Sequence, residues 1–417
     1  MNLKRLLTDT IYLLLSTVIL KVIVFLSNIY IANSLGAEFF GKYGISLSTA
    51  NMIGIFAGLG LSMTIVKYVA EFSNSGRELS YYISSSYMIG LVLSITISSI
   101  LYFKAGYITS KFFDNTSLTP YIKFASFIVL SNSILALNTG VLQGLGKFKE
   151  IFISNILLSI VIIPLYYFSI KSGDLKNILI VTLSVSIIDN IFKGILVVIN
   201  LKYRNVKITK FPIIYIKNVL SFAIPTLLSG ICFLPFLWYS KSILIKGNNG
   251  LFQSGLFDAA YQWITIIMLI TGAVASAIFP MLSRNNNDFI ATYKVGMLYS
   301  LIIPIALIVI IFPFRNLISS FYGPDFDELK TLIPLALTVS VFFSLWSVMS
   351  KVSSAKGKPW QVFVGNLVWC GCMYTGADYY IKGEGVHGLL LIMLYSWVSV
   401  CVYFFIQNYF VLRRCDD

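Results

Sequence analysis

Twelve stretches of about 20 apolar residues follow one another along this chain, each the length a helix needs to cross the hydrocarbon core of a bilayer. They lie near 11–31, 44–66, 79–103, 122–142, 151–170 and 178–199, then near 219–242, 256–281, 293–314, 332–350, 360–380 and 386–407. Charged residues make up 12% of the chain and hydrophobic residues 57%, whereas a soluble domain carries about 25% charged residues. That leaves too little charge for a water-facing surface. A soluble enzyme, a disordered chain and a secreted disulfide scaffold are excluded. Met1, Lys4 and Arg5 before the first stretch resemble the start of a signal peptide, but 11–31 is too long for a cleaved segment and reads as a first membrane helix. In lipid the backbone must satisfy its own hydrogen bonds, so the predicted fold is an all-α integral membrane protein of about twelve helices.

The connections are short, and none can fold as a soluble domain. The longest, 200–218, carries Lys202, Arg204, Lys207, Lys210 and Lys217. The net charge of +14 has no soluble basic domain to carry it, so it points to loops at a membrane surface and not to nucleic acid. With the N-terminus inside, inner segments hold 18 Lys and Arg and outer segments 10. The positive-inside rule then places both termini in the cytoplasm.

The two halves share spaced residues. Gly36, Gly41, Gly58 and Ser62 match Gly250, Gly255, Gly272 and Ser276 at an offset of 214. Gly146, Lys147, Phe152 and Asn155 match Gly357, Lys358, Phe363 and Asn366 at an offset of 211. Six helices per unit is an even number, so both units enter the membrane in the same direction. The expected architecture is two parallel six-helix repeats around a central cavity: an N-terminal lobe over 1–203, a basic cytoplasmic linker over 204–218 and a C-terminal lobe over 219–417. Transporters built from such repeats bind substrate between the halves.

Lipid-facing positions must be apolar, so polar stripes mark protein or water. At about 100° per residue, Thr10, Thr17, Lys21 and Asn28 fall in one narrow sector of the first helix. Lys21 is ten residues from either end of its span, some 15 Å at about 1.5 Å per residue, which is far for a lysine stem to snorkel. Placing its charge there costs about 2.5–3.5 kcal/mol on insertion scales. Two roles fit: a cation in an aqueous cavity awaiting an anion, or one half of an ion pair with Asp189 or another buried carboxylate. The second helix carries Gly44, Ser48, Asn51, Gly58 and Ser62 on one face, and the eighth carries Asp258, Gln262, Thr265, Gly272 and Ser276 at the offset positions. Such faces serve a cavity or close helix packing. Lys241 can pair with Asp258 or snorkel outward. Asp189 and Lys193, four apart with the acid first, fit an intrahelical ion pair or an ion-coupling site. Lys67 fits a phosphate ligand at the inner mouth or a helix-end anchor.

Other chemistry is missing. His387 is the only histidine, which removes histidine dyads and histidine metal sites. Gly144-Leu145-Gly146-Lys147 lacks the first glycine and the Ser/Thr of a P-loop. No cofactor and no metal is expected. The five cysteines read as reduced thiols, and Asp325, Asp327 and Glu328 as a solvated outer loop.

Ser34-Leu35-Gly36-Ala37-Glu38-Phe39-Phe40-Gly41-Lys42-Tyr43-Gly44 resembles the loop between helices one and two of Wzx-type O-antigen flippases. Gly60-Leu61 with Lys67-Tyr68-Val69-Ala70-Glu71-Phe72 resembles the end of their second helix, and Gln143-Gly144-Leu145-Gly146-Lys147 their fourth connection. The resemblance implies the multidrug/oligosaccharidyl-lipid/polysaccharide exporter (MOP) fold, shared with MATE drug exporters and the lipid II flippase MurJ. It implies a non-enzymatic flippase of the bacterial inner membrane. Its cargo would be an undecaprenyl-diphosphate-linked oligosaccharide, and its partners an O-antigen polymerase and a chain-length regulator. Basic cavity residues are typical of that group, a role Lys21 fits; Lys241 stands where relatives often carry a polar or acidic residue. On this reading Lys21 and Lys67 counter the diphosphate, Asn28, Asn51 and Gln262 bond to sugar hydroxyls, and Lys241 and Asp258 complete the substrate-binding set. A cation-coupled multidrug exporter of the same fold, using Asp189 or Asp258, is the alternative.

Overall fold

The computed structural model describes the backbone of residues 3–58, 60–171, 173–204, 206, 212–283, 289–356 and 358–416. Side chains are described for these residues except 3–11, 13, 14, 16, 225, 228–230, 276–283, 359 and 409–416. Lys207, Lys210, Arg284 and Gly357, and the side chains of Thr10 and Ser276, therefore lie outside the described residues.

The described residues form α-helices and short 3-10 turns, with no strand. The α-helices are α1 (Leu3–Gly58), α2 (Leu61–Glu71), α3 (Gly76–Phe113), α4 (Thr119–Gly144), α5 (Phe148–Ile170), α6 (Leu175–Tyr203), α7 (Ile213–Gly230), α8 (Phe233–Lys246), α9 (Gly250–Ser283), α10 (Phe289–Ile311), α11 (Arg315–Tyr322), α12 (Leu329–Ala355) and α13 (Pro359–Asp416). Among the described residues nine helical segments are long and apolar enough to cross a membrane. The helices α1 and α13 each bend at one glycine, Gly36 at φ 79° and Gly385 at φ 58°, a conformation that costs other residues a Cβ clash. Each bend makes two passes from one helix. The pair α7 and α8, separated at Ile231–Cys232 just before Pro235, supplies one further pass. The hydropathy pattern and the helices thus agree on twelve.

Each glycine corner has a side-chain acceptor for the N–H that follows it. The Ala37 amide donates to Asp325 Oδ2 at 3.1 Å, and the Val386 amide donates to Gln253 Oε1 at 2.9 Å. Asp325 is exposed, as a loop acid should be, and also caps the corner, because an N–H freed by the bend needs a partner. Asp327 and Lys330 do form an exposed ion pair at 2.6 Å, as surface residues should.

The chain divides into two compact units. The first comprises Met1–Ile31 and Ile45–Leu234; the second comprises Ala32–Gly44 and Pro235–Asp417. Helix counting places the division within 204–218, whereas packing places it after α7. The cause is an aromatic stack inside the first unit: Tyr68 and Tyr82 lie 4.2 Å apart at 6°, and Tyr215 meets Tyr82 edge-on at 4.8 Å. The Tyr68 hydroxyl donates to the Asn218 carbonyl at 3.2 Å. The start of α7 is held to the first unit by these contacts, above a core that includes Leu61, Ile65, Val69, Leu137 and Val141.

The second unit takes in the 32–44 corner through two glycines. A Cβ on Gly41 would lie 1.9 Å from the Leu251 carbonyl oxygen, and one on Gly255 would lie 2.0 Å from the Ala37 carbonyl oxygen. Ala37 and Leu251, like Gly41 and Gly255, are 214 residues apart. The contact is therefore reciprocal: each helix does to the other what the other does to it, as around a two-fold axis. The repeat read from sequence spacing is real at the level of atoms.

Gly41→Ala and Gly255→Ala should each lower stability by about 1–3 kcal/mol through overpacking. Gly54→Ala, where a Cβ meets nothing within 4 Å, should be neutral or gain up to about 1 kcal/mol of helix propensity. Thermal unfolding in detergent of the three variants checks this ordering.

Candidate functional site

The first unit holds Lys21, Asn28, Asn51, Lys67, Asp189 and Lys193; the second holds Lys241, Asp258 and Gln262. The helix α1 packs its Tyr12 and Tyr30 face on α5, where Tyr12 meets Phe152 at 5.3 Å and Tyr30 meets Tyr167 at 6.2 Å. Lys21 is roughly half a turn from that face. Its side chain is exposed, and among the described residues it has no ion pair and no hydrogen bond. Asn28 is half-buried on the same stripe and Asn51 is exposed on the second pass of α1.

Asp189, the carboxylate that fitted Lys21, is taken. Lys193 Nζ donates to Asp189 Oδ2 at 2.7 Å, with both side chains about 5% exposed. The i,i+4 spacing on α6 sets that geometry. Asp189 Oδ1 is buried and has no hydrogen-bond partner among the described residues.

Lys241 reaches the carboxylate on the neighbouring helix. Its ammonium donates to Asp258 Oδ1 at 2.7 Å and to Oδ2 at 2.9 Å, and its side chain is 2% exposed. Snorkelling is not its role. Asp258 in turn needs Gly44: a Cβ there would lie 1.8 Å from Asp258 Oδ2. Residues 44 and 258 are repeat counterparts, so the small residue of one half makes room for the acid of the other. One turn further along α9, the Gln262 side-chain carbonyl is buried and has no partner among the described residues.

Lys67 ends α2 in a different setting. Its ammonium lies 4.2 Å from the centre of the Phe222 ring and 4.9 Å from that of Tyr68. Ring faces attract a cation without neutralising it, so the charge stays available.

A polar network in the first unit was not anticipated. The Tyr87 hydroxyl donates to Asn138 Oδ1, Asn138 Nδ2 to Asn190 Oδ1 at 3.1 Å, and Asn190 Nδ2 to the Ser131 carbonyl at 2.8 Å. Ser186 Oγ lies 2.8 Å from Ser131 Oγ and donates to Asn132 Oδ1 at 2.8 Å. This ties α3, α4 and α6 together where packing by apolar contacts gains little in lipid. The signal was present as Ser186 and Asn190 four apart on α6, beside Asp189 and Lys193.

The fold compares closely with solved structures. Lipid II flippase MurJ in an inward closed conformation gives a TM-score of 0.79 at 16% identity, covering 95% of this chain and 87% of that one. An inward-facing multidrug resistance MATE family transporter of the MOP superfamily gives 0.78 at 16% identity, covering 95% of each. A MOP superfamily transporter from Pyrococcus furiosus gives 0.69 at 14% identity, covering 98% of this chain and 96% of that one. The molecule is a multi-pass membrane protein with the MOP fold. Residues 6–286 match the polysaccharide biosynthesis protein family, and the chain belongs to it. An uncharacterized membrane protein of Methanocaldococcus jannaschii is 24% identical over 362 residues, 84% of this chain and 85% of that protein.

Removing one member of a buried pair strands the other charge. Lys193→Met alone should cost about 3–5 kcal/mol, and Asp189→Leu with Lys193→Met together should recover most of it. Equilibrium unfolding in mixed micelles measures both; additive losses would show that the pair is not the source.

Proposed function

We propose that this protein is a flippase that carries undecaprenyl-diphosphate-linked O-antigen repeat units from the cytoplasmic to the periplasmic leaflet by alternating access. Lys21 supports this reading most directly. Lys193 and Lys241 have carboxylates of their own, while Lys21, in the middle of a membrane helix, has none among the described residues. An unneutralised ammonium at that depth needs water or an anionic guest. A sugar diphosphate needs what such a site offers: positive charge and hydrogen-bonding groups in place of its hydration shell.

In this account Lys67 meets the diphosphate at the cytoplasmic mouth and Lys21 meets it further in. Asn28, Asn51 and the unpartnered Gln262 carbonyl bond to sugar hydroxyls. The Lys241–Asp258 pair shapes the wall beside Gly44 more than it binds charge. The polyprenyl tail stays in lipid. The lobes rock about the cargo, both termini lie in the cytoplasm of a bacterial inner-membrane protein, and the polymerase and chain-length regulator receive the product.

The membership of the polysaccharide biosynthesis family favours a glycan cargo over a drug. A cation-coupled multidrug exporter would use a buried carboxylate for its proton, sodium or cationic drug. Asp189 and Asp258 each hold a lysine ammonium instead.

Lys21→Ala should abolish surface O-antigen in a flippase-deficient host while membrane levels of the protein stay normal, and Lys21→Arg should retain a substantial part. Wild-type O-antigen from the alanine variant would remove Lys21 from the mechanism.

A further inference from the structure

A groove of about 320 Å³ runs between α1 and α5 on the side of α1 away from Lys21. Its volume falls at the small end of the ~300–1,000 Å³ typical of ligand sites. Ile23, Leu26 and Ile163 wall its deeper part. Tyr30 and Tyr167 stand at its rim, rings 6.2 Å apart and within 10° of parallel. Among the described residues neither phenol hydroxyl has a protein hydrogen-bond partner. Lys171, just past the end of α5, lies with its ammonium 4.6 Å from the centre of the Tyr167 ring and, among the described residues, pairs with no carboxylate. Hydrocarbon below, hydroxyl donors at the rim and a free cation above match a lipid with a phosphate headgroup.

The second unit carries a related set of residues. At the offset of 211, Ile163, Tyr167 and Lys171 become Tyr374, Asp378 and Lys382. Tyr374 stacks on Tyr239 of α8 at 5.6 Å, as Tyr167 stacks on Tyr30 of α1. There, however, Lys382 pairs with Asp378 at 3.1 Å, and Tyr374 stands where Ile163 walls the groove. The repeat offers an internal control with the charge neutralised.

We propose that the α1–α5 groove is a lipid site. It takes one anionic, phosphate-bearing lipid, with the phosphate on Lys171 and the Tyr30 and Tyr167 hydroxyls and one hydrocarbon chain between Ile23, Leu26 and Ile163. The site is separate from the Lys21 face and stands whether or not the cargo is an oligosaccharide lipid. The phosphate can come from a glycerophospholipid or from a polyprenyl phosphate.

Native mass spectrometry of the delipidated full-length protein tests this, with phosphatidylglycerol, polyprenyl monophosphate and phosphatidylcholine titrated separately. Wild-type protein should retain one molecule of an anionic lipid and release phosphatidylcholine. Loss of one exposed lysine–phosphate ion pair corresponds to up to about fivefold weaker binding, expected for Lys171→Gln. Ile163→Trp, which fills the groove and leaves the charge, should weaken binding similarly, and Lys382→Gln should leave it unchanged. Tighter binding of phosphatidylglycerol identifies a resident bilayer lipid; tighter binding of the polyprenyl phosphate identifies the carrier lipid; either upholds the site. Binding that survives both Lys171→Gln and Ile163→Trp, falls equally with Lys382→Gln, or does not distinguish phosphatidylcholine overturns it.

Discussion

An ammonium group in hydrocarbon has to find a counter-charge, keep water around it or reach the headgroups. Three lysines meet this constraint in two ways. Lys193 and Lys241 take carboxylates, the first on its own helix and the second on the next. Lys21 takes none. The same constraint shapes the neighbours: Gly44 is small because Asp258 needs the space, and an aspartate partner for Lys241 stands where the other repeat has that glycine. The placement of charge separates the functional candidate from the structural pairs better than residue type does, since all three are lysines.

The repeat provides the second organising fact. The Gly41–Gly255 crossing brings the helix of one repeat against its own counterpart, carbonyl to glycine in both directions. Only residues without a Cβ allow that approach. The crossing explains why the 32–44 corner belongs to the second compact unit although it is threaded between two passes of the first. At the other boundary the aromatic stack of Tyr68, Tyr82 and Tyr215 keeps the start of α7 with the first unit.

Much of this was legible in the residues. Twelve apolar stretches specified the passes because hydrocarbon leaves helix as the only option. The offset of 214 picked out Gly41 and Gly255, which turned out to touch. Asp189 and Lys193 were readable because i,i+4 is a local relation. Lys241 was not settled, because its choice between Asp258 and the headgroups depends on how two helices are placed side by side. The cap made by Asp325 and the Asn138–Asn190–Ser131 network escaped for the same reason: the partners are far apart in sequence, and serine and asparagine are common enough in membrane helices to carry little signal singly. The unit boundary after α7 rests on aromatic contacts that hydropathy does not register.

The central claim is that Lys21 is a wet, unneutralised cation at the place where an anionic headgroup is held. Cysteine at position 21, in a protein whose five native cysteines are replaced, reports on this directly through its reaction with a charged, membrane-impermeant thiol reagent in inside-out vesicles. The account predicts fast labelling there and slow labelling at Leu26→Cys on the exposed apolar side of the same helix. Labelling at position 21 as slow as at position 26 would contradict it.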